Sequence, residues 1–175
     1  MLEKFLPRQE FSSYEDFKAN YRVVVPPRFN FAYDVVDEWA RIDDSKPALA
    51  WMNGQMQERI LTFGDVVRQS NQAANLFKAH GIRKGDRVLL ILKQRIEVWI
   101  CMLALHKIGA VVIPASFQLK RHDLVYRFKA AEVKMVVCVD LPEVLDEVEA
   151  SASEVPGVQE ILVVGDDPGA GRFDF

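Results

Sequence analysis

Between residues 87 and 164 the chain alternates short, unbroken apolar runs with segments of helical periodicity. The runs are RVLLIL at 87–92, AVVIP at 110–114, KMVVCVD at 134–140 and EILVV at 160–164. A strand that is apolar throughout is covered on both faces, as in a parallel sheet. The intervening stretches predict helices at 96–108, 121–131 and 142–152, with Pro142 suited to a first turn where no N–H is needed. Strand, helix, strand in succession requires right-handed crossovers, so the expected fold class is α/β, a mainly parallel sheet flanked by helices.

The segment leading into this pattern carries its own punctuation. Thr62 can cap a helix whose third residue is Asp65, a capping box. Val66, Val67, Ala73, Ala74, Leu76 and Phe77 supply its buried face, and Gly81 is placed to end it in the left-handed conformation. Upstream, Asn53-Gly54 lies between ALAWM and QMQERI and predicts a β-hairpin, because both turn residues tolerate positive φ. Asn30 can cap a helix to about residue 41, with Phe31, Val35 and Trp39 in one apolar stripe beside Ala32 and Val36. Ser12 or Ser13 can cap a short helix through Asn20 that groups Tyr14, Phe17 and Tyr21, and Pro26-Pro27 then breaks the chain. The expected division is an N-terminal helical arm at 1–28, an α/β portion at 29–164, and a loop at 165–175 past which the domain continues. Such an aromatic arm is expected to lie against something, either its own domain or the partner chain of a homo-oligomer.

The composition removes several classes of function. Lys and Arg number 22 against 25 Asp and Glu, for a net charge of -3, and no basic run is long enough to track a phosphate backbone, so no nucleic-acid partner is expected. No apolar run approaches the ~18 residues of a membrane span. Cys101 and Cys138 sit inside apolar runs as buried thiols, and His80, His106 and His122 fall on different elements, so no metal site is expected. The N-terminus lacks a signal peptide's apolar core, and its acids Glu3, Glu10, Glu15 and Asp16 argue against a transit peptide. A reducing cytoplasm is the expected location.

In an open parallel sheet, ligands bind beyond the carboxyl ends of the strands. Lys93-Gln94-Arg95 puts two cations at one such end, where they can meet phosphate or carboxylate or simply be solvated. Ala115-Ser116-Phe117-Gln118 offers small residues and an uncharged amide, which suits close approach of an amide-bearing ligand but is equally an ordinary polar loop. Gly165 to Gly171 follows a strand but has neither Gly-Lys-Ser/Thr nor GxGxxG, and Pro168 interrupts it, so a surface turn is expected. Asp140 stands where a ribose-binding acid can stand, without the glycine fingerprint upstream. No Ser-His-Asp, Cys-His or HExxH pattern is present. From the residues alone this is an α/β domain of unassigned activity.

LTFGDVVRQSNQAANLFKAHGIRKGDRVLLIL resembles the opening motif of the adenylate-forming acyl-CoA synthetases, carried by Leu61, Thr62, Phe63, Gly81, Gly85, Asp86 and Val88. Val66 or Val67 replaces the motif's usual leucine. MLALHKIGAVVIPASFQLK is similar to the second motif, through Leu105, Gly109, Ala110 and Pro114, and 117–140 resembles the medium-chain branch. The resemblance implies the N-terminal subdomain of that fold and an AMP-forming acid–thiol ligase. Such a ligase takes ATP, Mg²⁺, coenzyme A and a small-molecule carboxylic acid, and makes a thioester through an acyl-adenylate. It further implies that Gln118 contacts coenzyme A, and that Gly109 and Pro114 are structural. The family's phosphate loop, adenine and Mg²⁺ motifs and catalytic lysine have no counterpart up to Phe175, so no catalytic residue is expected in this chain, which alone is expected to be inactive. The alternative is a stand-alone, non-catalytic α/β binding or scaffolding module derived from the same family.

Overall fold

A computed structural model of the chain describes residues 2–165 and 172–173. Its centre is a parallel sheet of β3 (Arg87–Ile91), β4 (Val111–Pro114), β5 (Met135–Val139) and β6 (Glu160–Val164). The strand order is β4-β3-β5-β6, and the two-residue β7 (Arg172–Phe173) continues it in parallel beside β6. Val88, Leu89, Leu90 and Ile91 of β3 and every residue of β5 are buried, so these two central strands are covered on both faces as expected, whereas the edge strand β4 stays partly exposed, with Val111 47% accessible.

Flanking helices occupy the predicted places: α3 (Phe63–Ala79), α4 (Ile96–Ile108), α5 (Arg121–Ala130) and α6 (Pro142–Ala152). At the start of α3, Thr62 Oγ1 accepts from the Asp65 amide at 3.2 Å while Asp65 Oδ2 accepts from the Thr62 amide at 2.9 Å, the anticipated capping box. Gly81 lies at φ +78 one residue past the His80 cap, as its position implied. Gly109 ends α4 at φ +72, and a Cβ there would stand 3.0 Å from Lys84 Cγ, so the turn before β3 packs directly on it.

The antiparallel hairpin is present as β1 (Pro47–Met52) and β2 (Glu58–Thr62), but its turn differs from the expected one. Positive φ falls on Met56, at +62, and on neither Asn53 nor Gly54. Asn53 instead works as an acceptor, its Oδ1 taking the amides of Gln55 at 3.0 Å and Gln57 at 2.9 Å. The connection is a longer loop organised by one side chain, not a two-residue turn.

The helix capped by Asn30 begins with a π turn (Ala32–Val36) and continues as α2 (Asp37–Ile42). Asn30 Oδ1 accepts from the Ala32 amide at 3.0 Å, so the cap stands. The wider turn rotates the stripe. Ala32, Val36 and Asp37 face inward, whereas Phe31 remains 48% exposed.

In the arm, Ser13 caps α1 (Tyr14–Asn20), and Phe11, Phe17 and Tyr21 gather into one ring cluster with centroids 4.8–6.4 Å apart. Tyr14 stays outside it, 69% exposed, and α1 buries no residue. The arm therefore packs chiefly on itself, so of the two expected placements the one against its own domain is not what α1 adopts. It touches the body through Phe5 on Phe29, at 5.6 Å edge to face, and through the Lys4–Glu38 ion pair.

Candidate functional site

The strand order creates the site. From β3 the first crossover, through α4, leads outward to β4, while the next, through α5, carries the chain back across to β5 on the other side of β3. Connections diverge between β3 and β5, and at such a switch point the strand ends leave a crevice. A cleft of about 570 Å³ opens there, walled by the segments after β3, β5 and β6 and roofed by the hairpin tip.

Trp51 on β1 donates its indole N–H to the Gln94 carbonyl at 2.8 Å and so fixes the hairpin over the end of β3. Lys93 and Arg95 form one wall. Arg95 is clamped to Glu97 by two hydrogen bonds of 3.1 Å each, while Lys93 adopts φ +53 and rests its Nζ 4.6 Å from the Phe117 ring centroid. Asp140 forms the opposite wall, its amide donating to the Val164 carbonyl at 3.0 Å. Beside it, a Cβ on Gly165 would stand 2.9 Å from the Asp140 carboxylate, so only glycine lets β6 end so close to the acid. Helices α4 and α6 both start at this cleft, and no side chain among the described residues caps either one. The first amides of α4 and the positive dipole ends of both helices make the surroundings favourable to an anion.

The sequence-predicted residues divide around this cleft. Lys93, Arg95, Asp140 and Gly165 line it together. Gln118 stands apart, exposed in the loop after β4, where its amide donates to Ser116 Oγ at 3.2 Å. The Lys93–Phe117 contact is what joins that loop to the cleft. Of the glycine-rich stretch, Asp166 to Gly171 lies outside the described residues. Trp51 and Asn53 line the cleft without having been anticipated, since local pattern predicts a hairpin but not what the hairpin covers.

The thiols offer no nucleophile. Cys101 and Cys138 are fully buried, and burial pushes the Cys138 pKa up to about 12 and raises that of Cys101 as well. His80 pairs with Glu160 at 2.5 Å, away from the other two histidines. Among the described residues no group of three acidic, histidine or cysteine side chains is placed to hold a metal. None of the helices there is long and apolar enough to cross a membrane.

Comparison with known proteins bears on this arrangement. The chain is 36% identical over 157 residues to the human mitochondrial acyl-coenzyme A synthetase ACSM2A, covering 86% of this chain and 27% of that protein. It is also 36% identical over 169 residues to mitochondrial acyl-coenzyme A synthetase ACSM4 of Rattus norvegicus, covering 92% and 29%. The crystal structure of the anthranilate CoA ligase AuaEII in complex with anthranoyl-AMP superposes with a TM-score of 0.70 at 24% identity, over 80% of this chain and 26% of that one, and so shares its fold. The chain thus spans little more than a quarter of the length of these relatives. Their names place them in mitochondria, which does not support the expected cytoplasmic location. Residues 36–172 match the model of the AMP-binding enzyme family, and with most of its length matched the chain belongs to that family.

Proposed function

We propose that this chain is the N-terminal part of an ATP-dependent acyl-CoA synthetase. In the complete enzyme a carboxylate attacks the α-phosphate of ATP and releases pyrophosphate. The coenzyme A thiol then attacks the acyl carbonyl of the resulting adenylate and releases AMP. The observation that carries the reading is the 36% identity to acyl-coenzyme A synthetases along most of the chain. The cleft supports it: it lies where α/β sheets hold ligands, and two uncapped helix starts and Lys93 favour the negative charge of phosphates. We assign Gln118 to coenzyme A, with its amide free to match a donor or an acceptor. We take residues 1–28 as a peripheral arm and 29–164 as the α/β portion of the adenylate-forming domain. Mg²⁺, which the family resemblance implies, finds no ligand set among the described residues, and no step is assigned to it.

The reading predicts no thioester from the 175-residue chain alone, because the family's phosphate loop and catalytic lysine have no counterpart in it. It predicts activity when residues 1–175 replace the matching segment of ACSM2A. Thioester formation from a panel of carboxylic acids by that chimera, with none by the chain, is the expected result. A folded chimera that makes neither adenylate nor thioester overturns the proposal.

A further inference from the structure

The loop that carries Gln118 has few ties of its own. Ala115 donates its amide to Leu90 at 2.8 Å at one end, and Leu119 packs partly buried on the core at the other. Between them the internal bonds are long, Gln118 N to Ser116 Oγ at 3.2 Å and Leu119 N to the Ser116 carbonyl at 3.4 Å. Phe117, at the crest, is 39% exposed. The Lys93 ammonium reaches it from the end of β3, 4.6 Å from its ring centroid, a distance at which the cation is attracted to the ring face.

Lys93 makes this contact from a backbone that costs energy. Its φ of +53 is left-handed, where a Cβ meets the following carbonyl, and such conformations persist only where the surroundings impose them. The surroundings here are definite. Gln94, the next residue, is anchored through its carbonyl to the Trp51 indole. The Lys93 ammonium rests on the Phe117 ring while the residue itself stays exposed at the cleft.

We propose that Lys93 is a positioning residue for coenzyme A binding: its ammonium, on the Phe117 ring, holds the loop after β4 in the arrangement that presents Gln118. This rests on the assignment of Gln118 to coenzyme A. The contact depends on the cation, so Lys93→Arg preserves it and Lys93→Gln removes it at similar length.

Two measurements on the ¹⁵N-labelled chain separate the possibilities. In Lys93→Gln, backbone order parameters of Phe117 and Gln118 fall, while Lys93→Arg keeps them. Coenzyme A, titrated against each, binds about two- to fivefold more weakly to Lys93→Gln, returns to wild-type affinity in Lys93→Arg, and shifts the Gln118 amide. Unchanged loop order in Lys93→Gln, or an equal loss in both variants, overturns the role of Lys93. If coenzyme A leaves Gln118 unshifted in the wild-type chain, the Gln118 assignment falls instead, and loop order alone decides whether Lys93 sets the loop.

Discussion

Lys107 lies in the last turn of α4 with 1% of its side chain exposed, yet it keeps its charge company on three sides. Its Nζ is 2.9 Å from Asp37 Oδ1 and 2.8 Å from Asn71 Oδ1, and it stands 5.6 Å from the Tyr33 ring centroid. The pair ties α4 to α2 and, through Asn71, to α3. Desolvating both charges offsets much of their attraction, so the pair as a whole adds little, whereas removing one partner strands the other. Lys107→Met should therefore cost about 3–5 kcal/mol, and adding Asp37→Leu should recover most of that loss. Urea denaturation of the two single variants and the double one tests this; additive losses would show that the two side chains do not act as a pair. Nothing at residue level in the sequence pointed here. Lys107 sits at the end of an apolar helix where a solvated cation is ordinary, and Asp37 turns inward only because a π turn precedes it.

Among the elements, those with chemically marked ends were legible. Helices α4 and α6 run over the predicted residues because Gly109 follows the first and Pro142 opens the second. The hairpin was legible as an element, but its turn was not. Asn-Gly signals a hairpin through backbone freedom, and here the asparagine's carbonyl group took over by binding two amides, moving the left-handed residue to Met56. That leaves a residue with a Cβ at φ +62 and 71% exposed, so it contributes strain and little packing. Met56→Gly should stabilise the chain by about 1 kcal/mol, since the left-handed penalty of roughly 1–2 kcal/mol outweighs the extra freedom glycine gains when unfolded. A thermal midpoint that stays put or falls would mean that Met56 makes contacts worth as much as the strain.

For the whole molecule, the apolar runs announced a parallel sheet but could not announce its strand order, because β4 and β5 are equally apolar and either can sit beside β3. The cleft exists because they sit on opposite sides of it. The arm is the contrasting case, a segment whose rings were visible in the sequence while their partners were not. Phe11, Phe17 and Tyr21 satisfy one another, and α1 buries none of its own residues. The slope of denaturant unfolding follows the area exposed, so a segment that buries almost nothing against the body contributes little to it. Deleting residues 1–28 should leave both the urea midpoint and the slope close to those of the intact chain, since the Asn30 cap and the Lys107–Asp37 pair remain. If both fall together, the arm shares the core of the α/β portion. If the midpoint holds while sedimentation shows a dimer becoming a monomer, the exposed rings of the arm were joining two chains, and their exposure in a single one is explained.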